Sequence, residues 1–426
     1  MVGIRAAAVV AATAMVVAAC SPQQPKPGDS ERRAPAVPAA AFSFAVTPVD
    51  KQAKVPVSTE VGIQLSGGSV ERISMVDAAG KSVAGRLRED GSSWVPSRPL
   101  HYGERYTATV TAVGARSQRE TRTVTFTTMG RPGRLAGTGL YMFDGQRYGV
   151  GMPVAVEILQ PVPENMRAAV QRRLFVTSDP PQPGAWHWFN GTAVEYRPAD
   201  YWRPGTKLSV RIALEGQPLG NGYYGDQDRI ATASIAKDVV ELRITNRPKQ
   251  LKMYKNGKLL RSMPVSLGKP STPSSSGHMV IMDKQYHTTF DTRNDPQGGY
   301  VAEVDYAMRL TWGGEFIHSA PWSVGDQGYT NVSHGCVNLG PGNAAWLFGE
   351  THVGDPVTVS GTEVKLAPGN GWTVWDMSWD EFVKGSAIPV SDAVAQATAY
   401  EPYPAPSPAA VAPSPSGVPA PAPSAS

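Results

Sequence analysis

Trp94-Val95-Pro96-Ser97-Arg98-Pro99-Leu100-His101-Tyr102-Gly103-Glu104-Arg105-Tyr106-Thr107-Ala108-Thr109-Val110 lines up without gaps with Tyr196-Arg197-Pro198-Ala199-Asp200-Tyr201-Trp202-Arg203-Pro204-Gly205-Thr206-Lys207-Leu208-Ser209-Val210-Arg211-Ile212. In each copy an aromatic precedes proline, a turn with glycine follows, and an alternating run closes the unit. Alternation with period two marks a strand with one buried face. One supersecondary unit used twice predicts two copies of one all-β sandwich, over residues 41–129 and 130–237. Turn signals at Ala79-Gly80, Asp90-Gly91 and Tyr102-Gly103 separate further short strands such as Thr123-Val124-Thr125-Phe126-Thr127. Neither copy carries a catalytic constellation, so the pair reads as a spacer.

The chain has 426 residues, room for roughly two to four domains. Its 43 glycines and 38 prolines favour strands and turns over long helices. The charge balance, 40 basic against 36 acidic residues, is modest. No lysine/arginine cluster interleaved with aromatics stands out, so nucleic acid is not an expected partner.

Residues 1–20 read as a processing segment, with Arg5 followed by an apolar run too short to span a bilayer. It ends in Val17-Ala18-Ala19-Cys20, which resembles the bacterial lipobox, whose cysteine takes a diacylglyceryl group and becomes the mature N-terminus. The alternative is an ordinary signal peptide with an incidental cysteine. The expectation is an exported protein, lipid-anchored through Cys20 to the cell membrane. Residues 21–40 form a Pro- and Ala-rich linker, and residues 401–426, almost only Pro, Ala and Ser, form a disordered tail.

From Asp238 the texture changes. Val240, Leu242 and Ile244 alternate with polar residues, and Asn256-Gly257 supplies the two positive-φ positions of a type I′ hairpin. Met279-Val280-Ile281-Met282, Glu315-Phe316-Ile317-His318 and Pro356-Val357-Thr358-Val359 read as strands. Residues 283–309 are polar, with Asp295-Pro296 and Gly298-Gly299, and read as a long excursion and candidate lid. Asn343 is the expected N-cap of a short helix over residues 344–348. This β-rich domain is assigned to residues 238–360. Residues 361–400, with Trp372, Trp375, Trp379 and Phe382, read as an aromatic-rich C-terminal subdomain packed on the domain before it.

Within that domain lies Ser333-His334-Gly335-Cys336-Val337-Asn338, which holds the second of only two cysteines. With Cys20 acylated, Cys336 is a lone thiol in an exported protein, where cysteines usually pair. Catalysis is the readiest reason for one. A nucleophilic cysteine needs a base, oxyanion donors and something that orients the base. His318 ends an apolar strand and is favoured as base, with the Ser319 carbonyl a candidate to hold its ring; His334, two residues from the thiol, is next in line. The backbone N–H groups of Gly335 and Cys336, with that of His334, are the expected oxyanion donors. A zinc site would need four ligands in paired spacing, which is missing, so no metal is expected. A buried apolar role for Cys336 suits neighbours such as His334 and Asn338 poorly.

These residues resemble the SHGC[LIV]N signature of the L,D-transpeptidases of bacterial peptidoglycan, the YkuD-type catalytic domain. Leu267-Gly268-Lys269, Thr272-Pro273, Phe316-Ile317-His318-Ser319-Ala320-Pro321 and Gly354-Asp355-Pro356-Val357 match alongside it. The leader and the two sandwiches resemble multidomain actinobacterial members with immunoglobulin-like domains. The resemblance implies a mainly β chain: two immunoglobulin-like sandwiches, then a YkuD-type catalytic domain with a short helix. It implies Cys336 as nucleophile, His318 as base oriented by Ser319, and His334, Gly335 and Cys336 as the oxyanion segment. Tyr300 falls at a substrate-contacting lid tyrosine, and Gly313, Gly314, Ser333 and Asn338 fall along the substrate site. Phe290 stands where relatives can carry a second lid tyrosine. The implied reaction is thioester transfer from a tetrapeptide stem to an acceptor amine, giving a 3→3 cross-link, without cofactor. Carbapenems are the implied inhibitors. An L,D-carboxypeptidase and a non-catalytic wall-binding lipoprotein are the alternatives.

Overall fold

The structure, a computed structural model, describes residues 42–397 apart from 115, 116, 292, 294–298 and 300. The leader with Cys20, the linker, Tyr300 and the Pro/Ala/Ser tail lie outside the described residues.

The repeated stretch is one structural device used twice. In the first copy the strand Ser93–Pro96 lies in one sheet and Arg105–Gly114 in the facing sheet. In the second, Ala193–Pro198 and Lys207–Ile212 do the same. The proline ends the first strand because it cannot donate to a ladder, and the chain crosses to the other layer. Matched positions tie the two crossings down: Leu100 N–H donates to the Val57 carbonyl and Trp202 N–H to the Val150 carbonyl, each at 2.9 Å. Two four-stranded sheets result in each case, and apolar side chains fill the space between them. Trp94, Tyr106 and Phe126 lead the first core; Trp186, Trp188 and Trp202 lead the second.

The two sandwiches are joined by a half-buried ionic contact. Glu60 receives Arg88 from its own sandwich at 2.6 Å and Arg173 from the next at 2.5 Å, and Ser93 donates to it as well. Burial opposes its charge, but these donors hold its carboxyl down to about 2.

The region from Val240 onward has a six-stranded sheet and a four-stranded sheet. The expected hairpin is present, with Asn256 at φ 52° and Gly257 at φ 75°. Three expectations need correction. Residues 283–309 are not an irregular excursion: Asp283–Asp291 and Val301–Arg309 pair in register from Asp283↔Arg309 to Asp291↔Val301. Few of their side chains are buried, so polar composition conceals the strands. The helix runs Pro341–Glu350 and begins at proline after Gly340, not at Asn343. Proline fits the first helical position because its missing N–H would have no helical acceptor.

The third correction concerns the aromatics after residue 361. They pack chiefly on the second sandwich, and Trp372 alone among them also shares a core with Val280 and Met282 of the domain before them. Val374 and Phe382 bury against Ala185. Arg197, at the end of Ala193–Pro198, donates to the carbonyls of Val374 (2.9 Å), Met377 (3.1 Å), Pro198 (3.1 Å) and Ala199 (3.0 Å). Trp375, Trp379 and Phe382 lie around its guanidinium at 4.5–5.1 Å. Trp372, Val280 and Met282 also join the second sandwich's core. A planar cation buried among carbonyls and rings is a role lysine fills poorly. Arg197→Lys is therefore expected to cost about 2–3 kcal/mol of unfolding free energy in urea melts. A variant as stable as the parent would mean that apolar packing alone holds this segment.

Candidate active site

The strands Phe316–Ser319 and Val337–Leu339 pair in parallel, with His318 opposite Asn338. Cys336 immediately precedes the second strand, so the pairing brings the loop's thiol to the strand that carries His318. The pair is almost dry: His318 is 3 % exposed and Cys336 5 %. Phe316, Val304 and Ala307 pack with Cys336, and Phe290 and Ala302 lie against this cluster. Phe290 meets the His318 ring edge-on at 5.3 Å, and Trp322 lies 6.0 Å from it.

The His318 ring is oriented by its neighbour's backbone. Nδ1 is 2.8 Å from the Ser319 carbonyl oxygen, which can only accept, so Nδ1 carries the proton and Nε2 is left with its lone pair. Burial lowers the histidine's pKa, against the opposing pull of that bond. Burial also pushes the Cys336 thiol up to about 12; the Phe316 amide works against this and the nearby Glu315 carboxylate adds to it. Burial thus works against the charged form of each group. The thiol donates to the Gly314 carbonyl at 3.7 Å.

The loop before Cys336 is fastened from several sides. Gly335 sits at φ 120°, where a side chain would be strained. Ser274 accepts from the Gly268 amide at 2.9 Å and donates to the Gly335 carbonyl at 2.6 Å. Lys269 N–H donates to the Ser333 carbonyl at 2.9 Å. Ser333 Oγ donates to the Cys336 carbonyl at 2.6 Å and accepts from the Gly335 amide at 3.2 Å. The Gly335 amide, expected as an oxyanion donor, is thus engaged inside the loop.

Other expected residues are placed as follows. His334 is exposed, and its Nε2 lies 2.9 Å from the Lys269 ammonium. Ser333, His334 and Asn338 line a cavity of about 350 Å³ with His318, Trp322, Ser323, Ala302 and Val332. The Asn338 amide is turned to Ser323 Oγ at 3.1 Å. Gly313 N–H donates to Asn370 at 2.8 Å. Among the described residues no three His, Cys, Asp or Glu side chains are placed to share a metal ion. A larger cavity of about 870 Å³ on the first sandwich is lined by neither histidine nor cysteine.

Sequence reasoning missed Ser274, Glu315 and Trp322. Trp322 follows the His318-Ser319-Ala320-Pro321 run, and that adjacency was a usable signal. Ser274 and Glu315 reach the loop only through tertiary contacts, so nothing local marks them.

Residues 240–359 match the family model described as the L,D-transpeptidase catalytic domain, and residues 52–218 match the bacterial Ig domain. L,D-transpeptidase 2 of Mycobacterium tuberculosis (strain CDC 1551 / Oshkosh) is 36% identical over 340 residues, covering 78% of this chain and 82% of the relative. L,D-transpeptidase 5 of Mycobacterium tuberculosis (strain ATCC 25618 / H37Rv) is 33% identical over 379 residues, covering 87% and 81%. A solved structure of LD transpeptidase LdtMt1 in complex with imipenem is 35% identical, covers 53% of this chain and 100% of its own, and superposes with a TM-score of 0.44. With the histidine, the cysteine loop and both β regions in place, the chain belongs to the L,D-transpeptidase family.

Proposed function

We propose that this chain is a peptidoglycan L,D-transpeptidase that forms 3→3 cross-links through a Cys336 thioester. The observation that carries the reading is the oriented His318, with Nδ1 held by the Ser319 carbonyl, on the strand paired beside Cys336. The division into domains at residues 129, 237 and 360 and the export and lipid anchoring through Cys20 are parts of the same reading. They place the thiol beyond the membrane, facing the wall, on a β stalk.

The reaction begins from a neutral pair. As the Cys336 sulfur attacks the carbonyl of the third stem residue, its proton passes to His318 Nε2, so a free thiolate need not accumulate. The developing oxyanion takes the backbone N–H groups of the 334–336 loop, for which the Gly335 amide exchanges Ser333 Oγ for the substrate oxygen. The carbon–nitrogen bond to D-Ala breaks and the leaving amine takes the proton from His318. An acceptor amine then attacks the thioester, loses a proton to His318, and the sulfur leaves as thiol. Amine prevails over water because the site is dry: Phe290, on the hairpin beside it, packs on His318. Tyr300, by its match to the family's lid tyrosine, Ser333, Asn338 and the Gly313-Gly314 pair contact the stems. A β-lactam carbonyl offers the same electrophile, and carbapenems are the inhibitors expected.

Incubation of the purified chain with a carbapenem is expected to add one adduct to the Cys336 peptide, seen by mass, and none to Cys336→Ala. An adduct on another residue would move the nucleophile. His318→Ala is expected to slow acylation about 10²–10⁴-fold; unchanged acylation would shift the base to His334. Because the base must be neutral and burial lowers the His318 pKa, acylation is expected to persist below pH 6.5, the ordinary histidine value, and to fail at lower pH. Ser274→Ala frees the cysteine loop and is expected to lower kcat about tenfold with little change in KM, measured by cross-linking of stem tetrapeptides. In that assay, tripeptide product without cross-links would favour an L,D-carboxypeptidase.

A further inference from the structure

Two residues of one short stretch, Gly314 and Phe316, address the Cys336 side chain, and Glu315 between them has no part in the reaction above. The Gly314 carbonyl accepts from the thiol and the Phe316 amide donates to it. Between them Glu315 turns its side chain along Gly335: a Cβ built on that glycine would lie 3.6 Å from Glu315 Cγ and 3.9 Å from its Oε1. The carboxylate is not loose. Oε1 accepts from the Ser275 amide at 3.0 Å and from Ser275 Oγ at 2.9 Å. The Glu315 amide donates to Thr311 Oγ1 at 3.1 Å, and its carbonyl accepts from Leu310 at 2.9 Å. Ser275 thus pins the acid beside Gly335, and Thr311 and Leu310 fix the backbone that carries it.

We infer that Glu315 is a positioning residue and electrostatic guard for Cys336, whose negative charge disfavours a second negative charge on the sulfur until substrate is in reach. The inference rests on the reading of Cys336 as nucleophile. Its use follows from cysteine chemistry. The thiolate, not the thiol, is what alkylating agents and peroxide attack, so a thiol held protonated at rest is protected while it waits. Transfer to His318 during attack then supplies nucleophilicity only on demand. Other charged or titratable groups at this corner are His318 from the same strand, His334 with Lys269 from the loop side, and Arg309, which lies 4.8 Å over the Phe316 ring. Burial raises the thiol first, the Phe316 amide opposes it, and the Glu315 charge adds a smaller push in the same direction as burial. Burial raises the Glu315 pKa in turn, against the Ser275 bonds, so the guard is strongest well above the ordinary carboxylate range.

The test uses the full chain and two neutral variants. Glu315→Gln keeps an oxygen for Ser275 and removes the charge; Glu315→Met removes both. Alkylation of Cys336 by iodoacetamide is followed by peptide mass across the pH range, with peroxide oxidation in parallel. Both variants are expected to react about 3–10-fold faster near pH 8, with the profile moved toward acid. Profiles that superimpose on the parent overturn the inference. So does a shift in Glu315→Met alone, which would mean packing and not charge, or reaction only at the rate of the denatured chain. Carbapenem labelling of the same samples keeps the two readings apart. A missing Cys336 adduct in the parent would remove the nucleophile, while the alkylation profiles would still report on Glu315.

Discussion

The parallel pairing of Phe316–Ser319 with Val337–Leu339 is the constraint on which the site depends. Parallel neighbours cannot be joined by a tight turn, so the chain must travel through residues 320–336 and come back. That return path carries the cysteine loop. The pairing sets His318 beside Asn338, and Cys336 enters the strand from a loop locked by Ser274, Lys269 and Ser333. Burial by Phe290, Phe316 and Ala302 then decides the electrostatics. In a dry pocket, burial disfavours the charged form of each partner.

The rest of the molecule steadies this arrangement from outside. The second sandwich shares its core with Val280, Met282 and Trp372 of the region that follows. Gly149 and Gly151 donate to the carbonyls of Val353 and Gly354, and Trp375 returns a bond to Gly151 at 2.7 Å. Asp355 is sealed at this joint, and burial pushes its carboxyl up to about 8. The segment after the catalytic region then doubles back onto the sandwich around Arg197. Glu60 performs a comparable task between the two sandwiches. Small β layers that would each be marginal alone gain stability from shared interfaces.

Legibility followed the range of the interactions. The repeated crossing was readable because prolines, glycines and alternating strands act within a few residues of one another. The Asn256-Gly257 hairpin was readable for the same reason. The cysteine loop and His318 were readable as residue types with a chemistry to perform. The hairpin of residues 283–309 was misread because strands with little core behind them lose their apolar alternation. The Trp-rich segment was given the wrong partner because an apolar face does not name what it buries against. Ser333 and Asn338 were placed along the site, and they do line the cavity, yet their polar atoms turn to the Cys336 carbonyl and to Ser323.

By itself the amino-acid order determined the β class and the doubled sandwich and singled out Cys336 and His318 as candidates, since local patterning and side-chain chemistry suffice for these. Only the tertiary structure decided which ring nitrogen of His318 carries the proton, that the Gly335 amide is engaged within its own loop, that Arg197 binds the C-terminal segment, and that Glu315 lies along Gly335. Each depends on burial and on partners dozens of residues away, and hydrogen-bond geometry between distant segments leaves no periodic trace in the chain.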